Sequence, residues 1–182
     1  MNPAHGSRSG TEMSDLIVSP GPGWGDGSHE TTRLCLQAVR LLAPRGRPSW
    51  RALDFGSGSG LLAITAAKLG ATVDAVEIDE AGLAHGERNA ALNEVGGRVG
   101  FSRTLEGQAG PYELVVANIL RPVLVDFAQE LTRRLSTDGI LILSGLVATD
   151  LPEIGVRYGS LLEGRMPEVY RRGDWRAAVW RK

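Results

Sequence analysis

The stretch Leu53-Asp-Phe-Gly-Ser-Gly-Ser-Gly60 (LDFGSGSG) lies between a short apolar run at 51–55 and a segment at 61–69 whose apolar residues have helical spacing. Glycines at alternate positions let the backbone turn sharply between a strand and a helix, and they let it approach a ligand closely. Tight turns also need glycine where no ligand binds, so the glycines alone leave the function of the loop open. The pattern predicts a strand, a glycine-rich loop and a helix, in that order.

Segments with strand and helix patterns alternate on both sides of this loop. The predicted strands cover 51–55, 71–78, 98–102, 112–117 and 140–144, with two further β segments at about 164–172 and 175–180 around a turn at Arg172-Gly173-Asp174. The predicted helices cover 32–42, 61–69, 81–92 and 123–135, a turn is predicted at Asp138-Gly139, and a β-prone run at 15–18 precedes Pro20-Gly-Pro-Gly23. This order predicts an α/β fold with a doubly wound, mostly parallel sheet and an antiparallel C-terminal hairpin.

The composition indicates one globular domain without a polyanionic partner. The chain has 182 residues, 42% of them hydrophobic, and a formal net charge of −1, so it lacks the basic excess that is typical of nucleic-acid-binding proteins. Residues 1–14 are rich in serine and glycine and predict a flexible N-terminal tail, which assigns the folded domain to 15–182. No run is long and apolar enough to cross a membrane, and no signal-peptide pattern is present, so the sequence predicts a cytoplasmic protein.

The cysteine and histidine content argues against a metal centre. The single cysteine, Cys35, lies in an apolar helical pattern, and the three histidines lack the spacing of metal ligands. We therefore expect Cys35 in the core and no protein-bound metal.

Two acidic residues flank the glycine-rich loop and bear on the cofactor that it would hold. Glu77 ends the next predicted strand about 20 residues after Gly56, where an acidic side chain reaches the hydroxyls of a nucleotide ribose. Asp54 precedes the loop, where its charge would repel a pyrophosphate and attract the cationic methionine end of S-adenosylmethionine. Because Gly58-Ser-Gly-Leu-Leu-Ala63 also matches the dinucleotide pattern G-x-G-x-x-A, a nicotinamide cofactor stays as an alternative. The charge of Asp54 favours the methyl donor.

A polar side chain follows the most apolar predicted strand. In Val115-Val-Ala-Asn-Ile-Leu120, Asn118 falls at the carboxyl end of the strand and faces the same crevice as the glycine-rich loop. Its amide oxygen can accept a hydrogen bond from a substrate amine in the neutral form that attacks a sulfonium methyl group. Asn118 is also placed to cap a helix near Arg121-Pro122, and the two roles are compatible.

Several further stretches carry a more specific pattern than the glycines. They are Pro20-Gly-Pro-Gly-Trp-Gly-Asp-Gly-Ser-His-Glu-Thr-Thr32, Ala117-Asn-Ile-Leu120, Leu143-Ser-Gly-Leu146 and Gly173-Asp-Trp175. Together with Leu53–Gly60, they resemble the PG-x-x-FGTG-x-H-x-TT loop and the later signatures of the PrmA-type methyltransferases. That family methylates amino groups of large-subunit ribosomal protein eleven with S-adenosylmethionine. The resemblance runs from about Asp15 to the end and implies a Rossmann-like class I methyltransferase, with 15–182 as its catalytic domain.

The resemblance, with the charge argument, implies a donor site built from these stretches. The predicted contacts to S-adenosylmethionine are Thr32, Asp54, Gly56, Ser57, Gly58, Glu77 and Asn118. Asn118 would lie beside the transferable methyl group and is the predicted catalytic residue. The loop around Gly25 and Gly27 would fold over the methionine end of the donor, Thr32 would start the following helix, and Trp24 would wall the pocket.

The implied activity is an S-adenosylmethionine-dependent N-methyltransferase, with an amino group of a protein, such as a ribosomal-protein lysine or N-terminal amine, as acceptor. The alternatives are a small-molecule methyltransferase, a donor-binding module without catalysis and, less favoured, an NAD-binding oxidoreductase. Family members carry a separate N-terminal domain that recognises the ribosomal protein, whereas only 14 residues precede Asp15 here, which leaves the acceptor open. No nucleic-acid or membrane partner is expected, and the oligomeric state is open.

Overall fold

The computed structural model describes residues 16–44, 46–47, 49–108 and 110–182, and the predicted tail at 1–14 lies outside them. The described helices are α1 (Glu30–Leu42), α2 (Leu61–Lys68), α3 (Glu80–Leu92), α4 (Arg121–Asp126), α5 (Ala128–Arg133) and α6 (Leu151–Leu161). The described strands are β1 (Trp50–Phe55), β2 (Ala71–Val76), β3 (Val99–Ser102), β4 (Tyr112–Asn118), β5 (Leu135–Val147), β6 (Glu168–Arg172) and β7 (Trp175–Arg181). None of the helices in these ranges has the length and hydrophobicity that a bilayer crossing requires.

The strands form one seven-stranded sheet in the order β3-β2-β1-β4-β5-β7-β6. The first five strands of this order pair in parallel, and β7 runs antiparallel to both β5 and β6. The predicted doubly wound α/β fold with an antiparallel C-terminal hairpin is confirmed. The order of the strands changes direction between β1 and β4, and ligands of such sheets bind at the carboxyl ends of the strands beside this switch point.

A hydrophobic core lies on each face of the sheet. Leu114 and Val116 of β4 belong to the core under α1, α2 and α3, whereas Val115 and Ala117 belong to the core under α4, α5 and α6. Successive side chains of a strand point to opposite faces, so β4 is buried on both. This burial fixes the position of the residue at the end of the strand, Asn118.

The predicted helix at 123–135 is divided into α4 and α5. The chain turns at Phe127, which ends α4 and begins α5. The turn places the ring centroid of Phe127 4.8 Å from that of Phe55 at the end of β1. A packing contact with the sheet therefore interrupts a segment whose apolar spacing alone predicts one continuous helix.

The predicted turn at Asp138-Gly139 lies within β5. Leu135 pairs with Tyr112, whereas Ile140 pairs with Leu114, so the pairing with β4 shifts between these two positions. The extra residues of β5 are accommodated as an irregularity in the ladder rather than as a separate turn. The pairing of β5 with β4 begins at Leu135, before the apolar run that starts at Ile140, so β5 is longer than the predicted strand.

Two predicted β segments near the ends of the domain also differ. Residues 16–18 form no strand; instead the N–H of Ile17 donates to Oδ1 of Asn93 at 3.0 Å, and Nδ2 of Asn93 donates to the Ile17 carbonyl at 2.6 Å. Side-chain hydrogen bonds thus satisfy backbone groups that a strand would pair. The segment predicted at 164–172 is a strand only over Glu168–Arg172.

Helix α6 is absent from the predicted elements. Gly155 and Gly159 lie inside it, and glycine lowers helix propensity. Ile154 and Tyr158, four residues apart, are fully buried on one face, and the Tyr158 hydroxyl donates to the Leu124 carbonyl at 2.6 Å. Tertiary packing therefore stabilises a helix that local propensity disfavours.

Arg134 joins the loop before β4 to the end of α5. Its guanidinium donates to the carbonyls of Gln108 at 2.8 Å and Leu105 at 3.3 Å and pairs with the Glu130 carboxylate. Only 8% of the Arg134 side chain is exposed. The substitution Arg134→Ala should lower the free energy of unfolding by about 3 kcal/mol in urea denaturation, because it leaves buried acceptors unpaired.

Arg133 is the matched control for this substitution. It donates to the same Glu130 carboxylate at 2.7 Å, but 62% of its side chain is exposed. The substitution Arg133→Ala should change the free energy of unfolding by less than about 1 kcal/mol. Equal losses in the two variants would show that Arg134 does not act as a buried anchor.

Candidate functional site

The glycine-rich loop crosses the carboxyl ends of β1 and β2. Gly56, Gly58 and Gly60 have positive φ angles of 79°, 52° and 77°, which glycine adopts without the strain that a Cβ would cause. The N–H groups of Gly56 and Ser57 donate to the Val76 carbonyl at 2.8 and 3.0 Å. These bonds fasten the loop to the end of β2.

Ile119 packs between the turn after β1 and Gly145, which lies near the end of β5. A Cβ at position 56 would collide with the Ile119 side chain, and a Cβ at position 145 would collide with the Ile119 carbonyl oxygen. Gly145 also has a positive φ of 82°. The glycine in the Leu143–Leu146 stretch therefore makes room for Ile119, which holds the neighbouring Asn118 beside the glycine-rich loop.

Asn118 and Thr32 approach each other across the crevice. Nδ2 of Asn118 lies 3.5 Å from Oγ1 of Thr32, which is a long, weak hydrogen bond. Oδ1 of Asn118 is buried and has no hydrogen-bond partner. The N-cap of α4 is Leu120, without a side-chain capping bond, so Asn118 does not cap that helix as the alternative role proposed.

The start of α1 differs from the prediction that Thr32 begins the helix. Helix α1 begins at Glu30, and its N-cap is His29, whose Nδ1 accepts a hydrogen bond from the Thr31 N–H at 3.3 Å. The imidazole thus takes the capping role that short hydroxyl side chains commonly have. Thr32 is instead a buried residue of the first turn.

Asp54 is a fully buried carboxyl group at the end of β1. Its Oδ2 accepts a hydrogen bond from the Ala63 N–H at 2.9 Å, whereas Oδ1 has no partner. Burial raises the pKa of Asp54 to about 7; the Ala63 N–H opposes this shift, and the charge of Glu77 adds to it. A cation beside Oδ1 would therefore stabilise the ionised form.

Glu77 follows β2 and contacts the glycine-rich loop. Its Oε2 accepts a hydrogen bond from the Gly58 N–H at 2.8 Å, and its Oε1 accepts one from the Asp79 N–H at 2.9 Å. Each carboxylate oxygen has a second lone pair. The side chain can therefore position the loop and still accept hydrogen bonds from a ligand.

The loop before α1 is attached to the glycine-rich loop through Ser59. The Ser59 N–H donates to the Trp24 carbonyl, and the Ser59 hydroxyl donates to the Gly25 carbonyl, both at 2.8 Å. The Trp24 side chain is 90% exposed, contrary to the expectation that it walls the pocket. Trp24 contributes its backbone here, and sequence reasoning missed Ser59.

Three buried oxygens without a hydrogen-bond partner lie around this crevice, on Asp54 (Oδ1), Ser57 (Oγ) and Asn118 (Oδ1). Buried polar atoms in native proteins are nearly always paired, so their concentration at a ligand crevice fits a site for a polar ligand. The structure brings Asn118 to Thr32 and brings Glu77 to Gly58.

The comparisons with known proteins agree with this geometry. The family described as "Ribosomal protein L11 methyltransferase (PrmA)" matches residues 2–182. The chain belongs to this family. A ribosomal protein L11 methyltransferase of Pelobacter propionicus is 40% identical over 173 residues, which cover 92% of this chain and 55% of the relative. One of Trichlorobacter lovleyi is 44% identical over 138 residues, covering 73% of this chain and 45% of the relative.

The similarity to the PrmA family includes the three-dimensional fold. The crystal structure of a ribosomal protein L11 methylase from Lactobacillus delbrueckii subsp. bulgaricus has a TM-score of 0.75 at 34% identity, covering 86% of this chain and 80% of that chain. The chain spans about half the length of the curated PrmA relatives it matches. The family that the sequence motifs indicate is confirmed.

The raised pKa of Asp54 makes stability depend on pH. Between its ordinary value of 3.8 and about 7, the folded chain keeps a proton that the unfolded chain releases, so this contribution is present at low pH and lost as pH rises. Between pH 4 and 8, the free energy of unfolding of the unliganded natural protein should therefore fall relative to that of Asp54→Asn. The expected fall is on the order of a few kcal/mol.

Urea denaturation of both proteins across this pH range measures the effect. Asparagine keeps an acceptor for the Ala63 N–H but does not titrate, so the comparison removes the contribution of the other ionisable groups. A difference between the two proteins that stays constant with pH would contradict a raised pKa at Asp54.

Proposed function

We propose that this chain transfers methyl groups from S-adenosylmethionine to amino groups of a ribosomal protein. The observation that carries the proposal is the set of buried, unpartnered oxygens on Asp54, Ser57 and Asn118 at the crevice between β1 and β4. An acid, a hydroxyl and an amide oxygen are acceptors that suit a ligand with a cationic end and an amine beside it. Membership of a methyltransferase family supports the same donor.

The residues of the glycine-rich loop and its neighbours would hold the donor. Gly56, Ser57 and Gly58 allow close approach of the backbone, and Glu77 is placed to accept hydrogen bonds from the ribose hydroxyls. Asp54 and Thr32 would contact the methionine end. The donor supplies a methyl group on a sulfonium sulfur, which a neutral amine attacks.

Asp54 distinguishes this donor from a dinucleotide. An unpaired buried carboxylate is unfavourable, and a neighbouring ammonium group offsets that cost. A pyrophosphate in the same place would add negative charge next to the carboxylate in surroundings of low dielectric constant. The NAD-binding oxidoreductase that the glycine pattern allows is therefore the poorer fit.

Asn118 would orient the acceptor amine. Its unpartnered Oδ1 can accept a hydrogen bond from an amine N–H, which leaves the nitrogen lone pair free for attack. An amide oxygen is not a base at neutral pH, so its contribution is alignment of the reacting atoms rather than proton removal. The Thr32 hydroxyl, 3.5 Å from Asn118 Nδ2, would help to fix the orientation of the amide.

The proposed acceptor is a lysine or an N-terminal amine of a ribosomal protein. The relatives named above are ribosomal protein L11 methyltransferases, which favours this acceptor over a small molecule. A ribosomal acceptor also agrees with the cytoplasmic location that the sequence predicts. A module that binds the donor without catalysis would bind it and transfer no methyl group, and the assay below detects that outcome.

The substitution Asn118→Ala separates orientation from donor binding. Turnover should fall at least about 100-fold, because a misaligned amine rarely reaches the methyl group, while donor affinity should change less than about threefold. Transfer of a tritiated methyl group to unmethylated ribosomal protein L11 measures turnover, and isothermal titration with S-adenosylmethionine measures affinity. Equal losses of turnover and affinity would contradict the orienting role.

The substitution Glu77→Ala should act on the donor instead. Loss of a charged acceptor for the ribose and of the bond to Gly58 should weaken S-adenosylmethionine binding by about tenfold or more. Glu80→Ala is the matched control, since Glu80 is an exposed acid at the start of α3. The Glu80→Ala variant should bind S-adenosylmethionine as tightly as the natural protein does. An unchanged dissociation constant for Glu77→Ala would remove Glu77 from the site.

A further inference from the structure

One face of α3 binds the chain segment that precedes α1. His85, Asn89 and Asn93 are spaced four residues apart, which places them on the same side of the helix, and all three are buried. Each makes hydrogen bonds to the backbone between Ile17 and Gly23. The three side chains therefore form a continuous row of anchors along α3.

His85 forms the end of this row that is nearest the candidate site. Its Nε2 lies 2.8 Å from the carbonyl oxygen of Ser19, and its Nδ1 accepts a hydrogen bond from the Gly23 N–H at 3.1 Å. A carbonyl only accepts and an amide N–H only donates, so these partners assign a neutral ring with its hydrogen on Nε2. Both polar atoms of the buried ring are thereby satisfied.

The chain passes so closely over the His85 ring that it requires glycine there. A Cβ at position 21 would lie 2.5 Å from Nε2, and a Cβ at position 23 would lie 2.7 Å from Nδ1. Neither Gly21 nor Gly23 has a positive φ, so close neighbours rather than backbone conformation account for these glycines. The neighbour is the imidazole at both positions, and at position 23 it is also the Ser59 backbone nitrogen, which would lie 2.9 Å from a Cβ. The Pro20–Gly23 stretch is shaped to fit His85.

The row on α3 is connected to the glycine-rich loop. Asn89 accepts hydrogen bonds from the N–H and hydroxyl of Ser19 at 3.0 and 2.7 Å, and its Nδ2 donates to the Ser59 carbonyl at 2.9 Å. Ser59 in turn binds the carbonyls of Trp24 and Gly25. His85 holds Gly23, one residue before these contacts.

Few other contacts hold the loop that follows, apart from a hydrogen bond that Arg33 Nε of α1 donates to the Gly27 carbonyl at 3.2 Å. The Trp24 side chain is exposed, and Asp26 accepts hydrogen bonds only from its near neighbour Ser28 among the described residues. The position of the loop between Gly23 and α1 therefore depends on its two ends and on this contact from α1. The end at α1 carries Thr32, and the other end is fixed by His85 and Ser59.

We propose that His85 is a positioning residue for methyl-donor binding, which it supports by anchoring Gly23 and the loop that leads from there to Thr32. This inference rests on the proposed donor site. His85 does not contact the donor; it acts through the backbone of the loop. Binding of S-adenosylmethionine should then require a side chain at position 85 that offers one hydrogen-bond donor and one hydrogen-bond acceptor, spaced as in an imidazole ring.

Two substitutions at position 85 test this role by titration with S-adenosylmethionine and with its product S-adenosylhomocysteine. The substitution His85→Ala should weaken both by about tenfold, because both anchoring hydrogen bonds are lost. The substitution His85→Gln should recover affinity to within about threefold, since one amide group supplies a donor and an acceptor at similar spacing. Urea denaturation of each variant separates loss of affinity from loss of stability.

Asn93→Ala is the matched control on the same helix face. It removes two hydrogen bonds to Ile17, which precedes Gly23 in the chain, and one to the Asn89 carbonyl. It leaves the His85 contacts in place, so it should lower stability while affinity stays within about twofold. Equal affinity loss in Asn93→Ala and His85→Ala would overturn the proposal, because it would trace the effect to general stability. So would unchanged affinity in His85→Ala.

Gly21 provides a second test, in which the position of the imidazole is disturbed while His85 itself is kept. The added methyl group of Gly21→Ala meets only the imidazole among its three nearest atoms, so donor affinity should fall. In the His85→Ala background the same change should have no further effect. An equal loss in both backgrounds would overturn the proposal, whereas failure of the natural protein to bind either ligand would overturn the proposed function itself.

Discussion

Ile119 occupies space that glycine leaves open, at the turn after β1 and at the irregular pairing near the end of β5. Side chains at positions 56 and 145 would collide with it, so glycine at these two positions lets the turn after β1, the end of β4 and the end of β5 approach one another. This close approach brings an amide side chain, Asn118, to the glycine-rich loop. Three of the stretches that resemble the family, at 53–60, 117–120 and 143–146, thus meet in one packing contact, although they are far apart in the chain.

The same crevice concentrates polar groups that the fold itself does not pair. Asp54 keeps a buried oxygen without a partner and a pKa raised to about 7 by burial, which is unfavourable for a purely structural residue. Unpaired buried groups of this kind cluster where a ligand completes the hydrogen bonding. Elsewhere in the sheet, by contrast, the Asp74 carboxylate is paired with both Arg51 and Tyr112.

Sequence patterns predicted the doubly wound α/β class because alternating periodicities and glycine spacing are local features. Of the residues they indicated as a site, the structure brings Asn118 to Thr32 and Glu77 to Gly58. The patterns missed α6, whose two glycines lower helix propensity, and they joined α4 to α5, because the break at Phe127 arises from contact with Phe55. The sequence patterns also did not predict that His29 caps α1 or that His85 anchors the segment before it. A histidine reveals its role only when its partners are known, although the spacing of His85, Asn89 and Asn93 marks a polar face on a predicted helix.

The crevice between β1 and β4 is the proposed site of the sulfonium methyl donor. Isothermal titration of the natural chain with S-adenosylmethionine, with NAD as the competing ligand, tests this proposal most directly. The charge and acceptor pattern around Asp54 predicts binding of the methyl donor in the micromolar range and no binding of NAD. Binding of NAD, or of neither ligand, would contradict the assignment of the site.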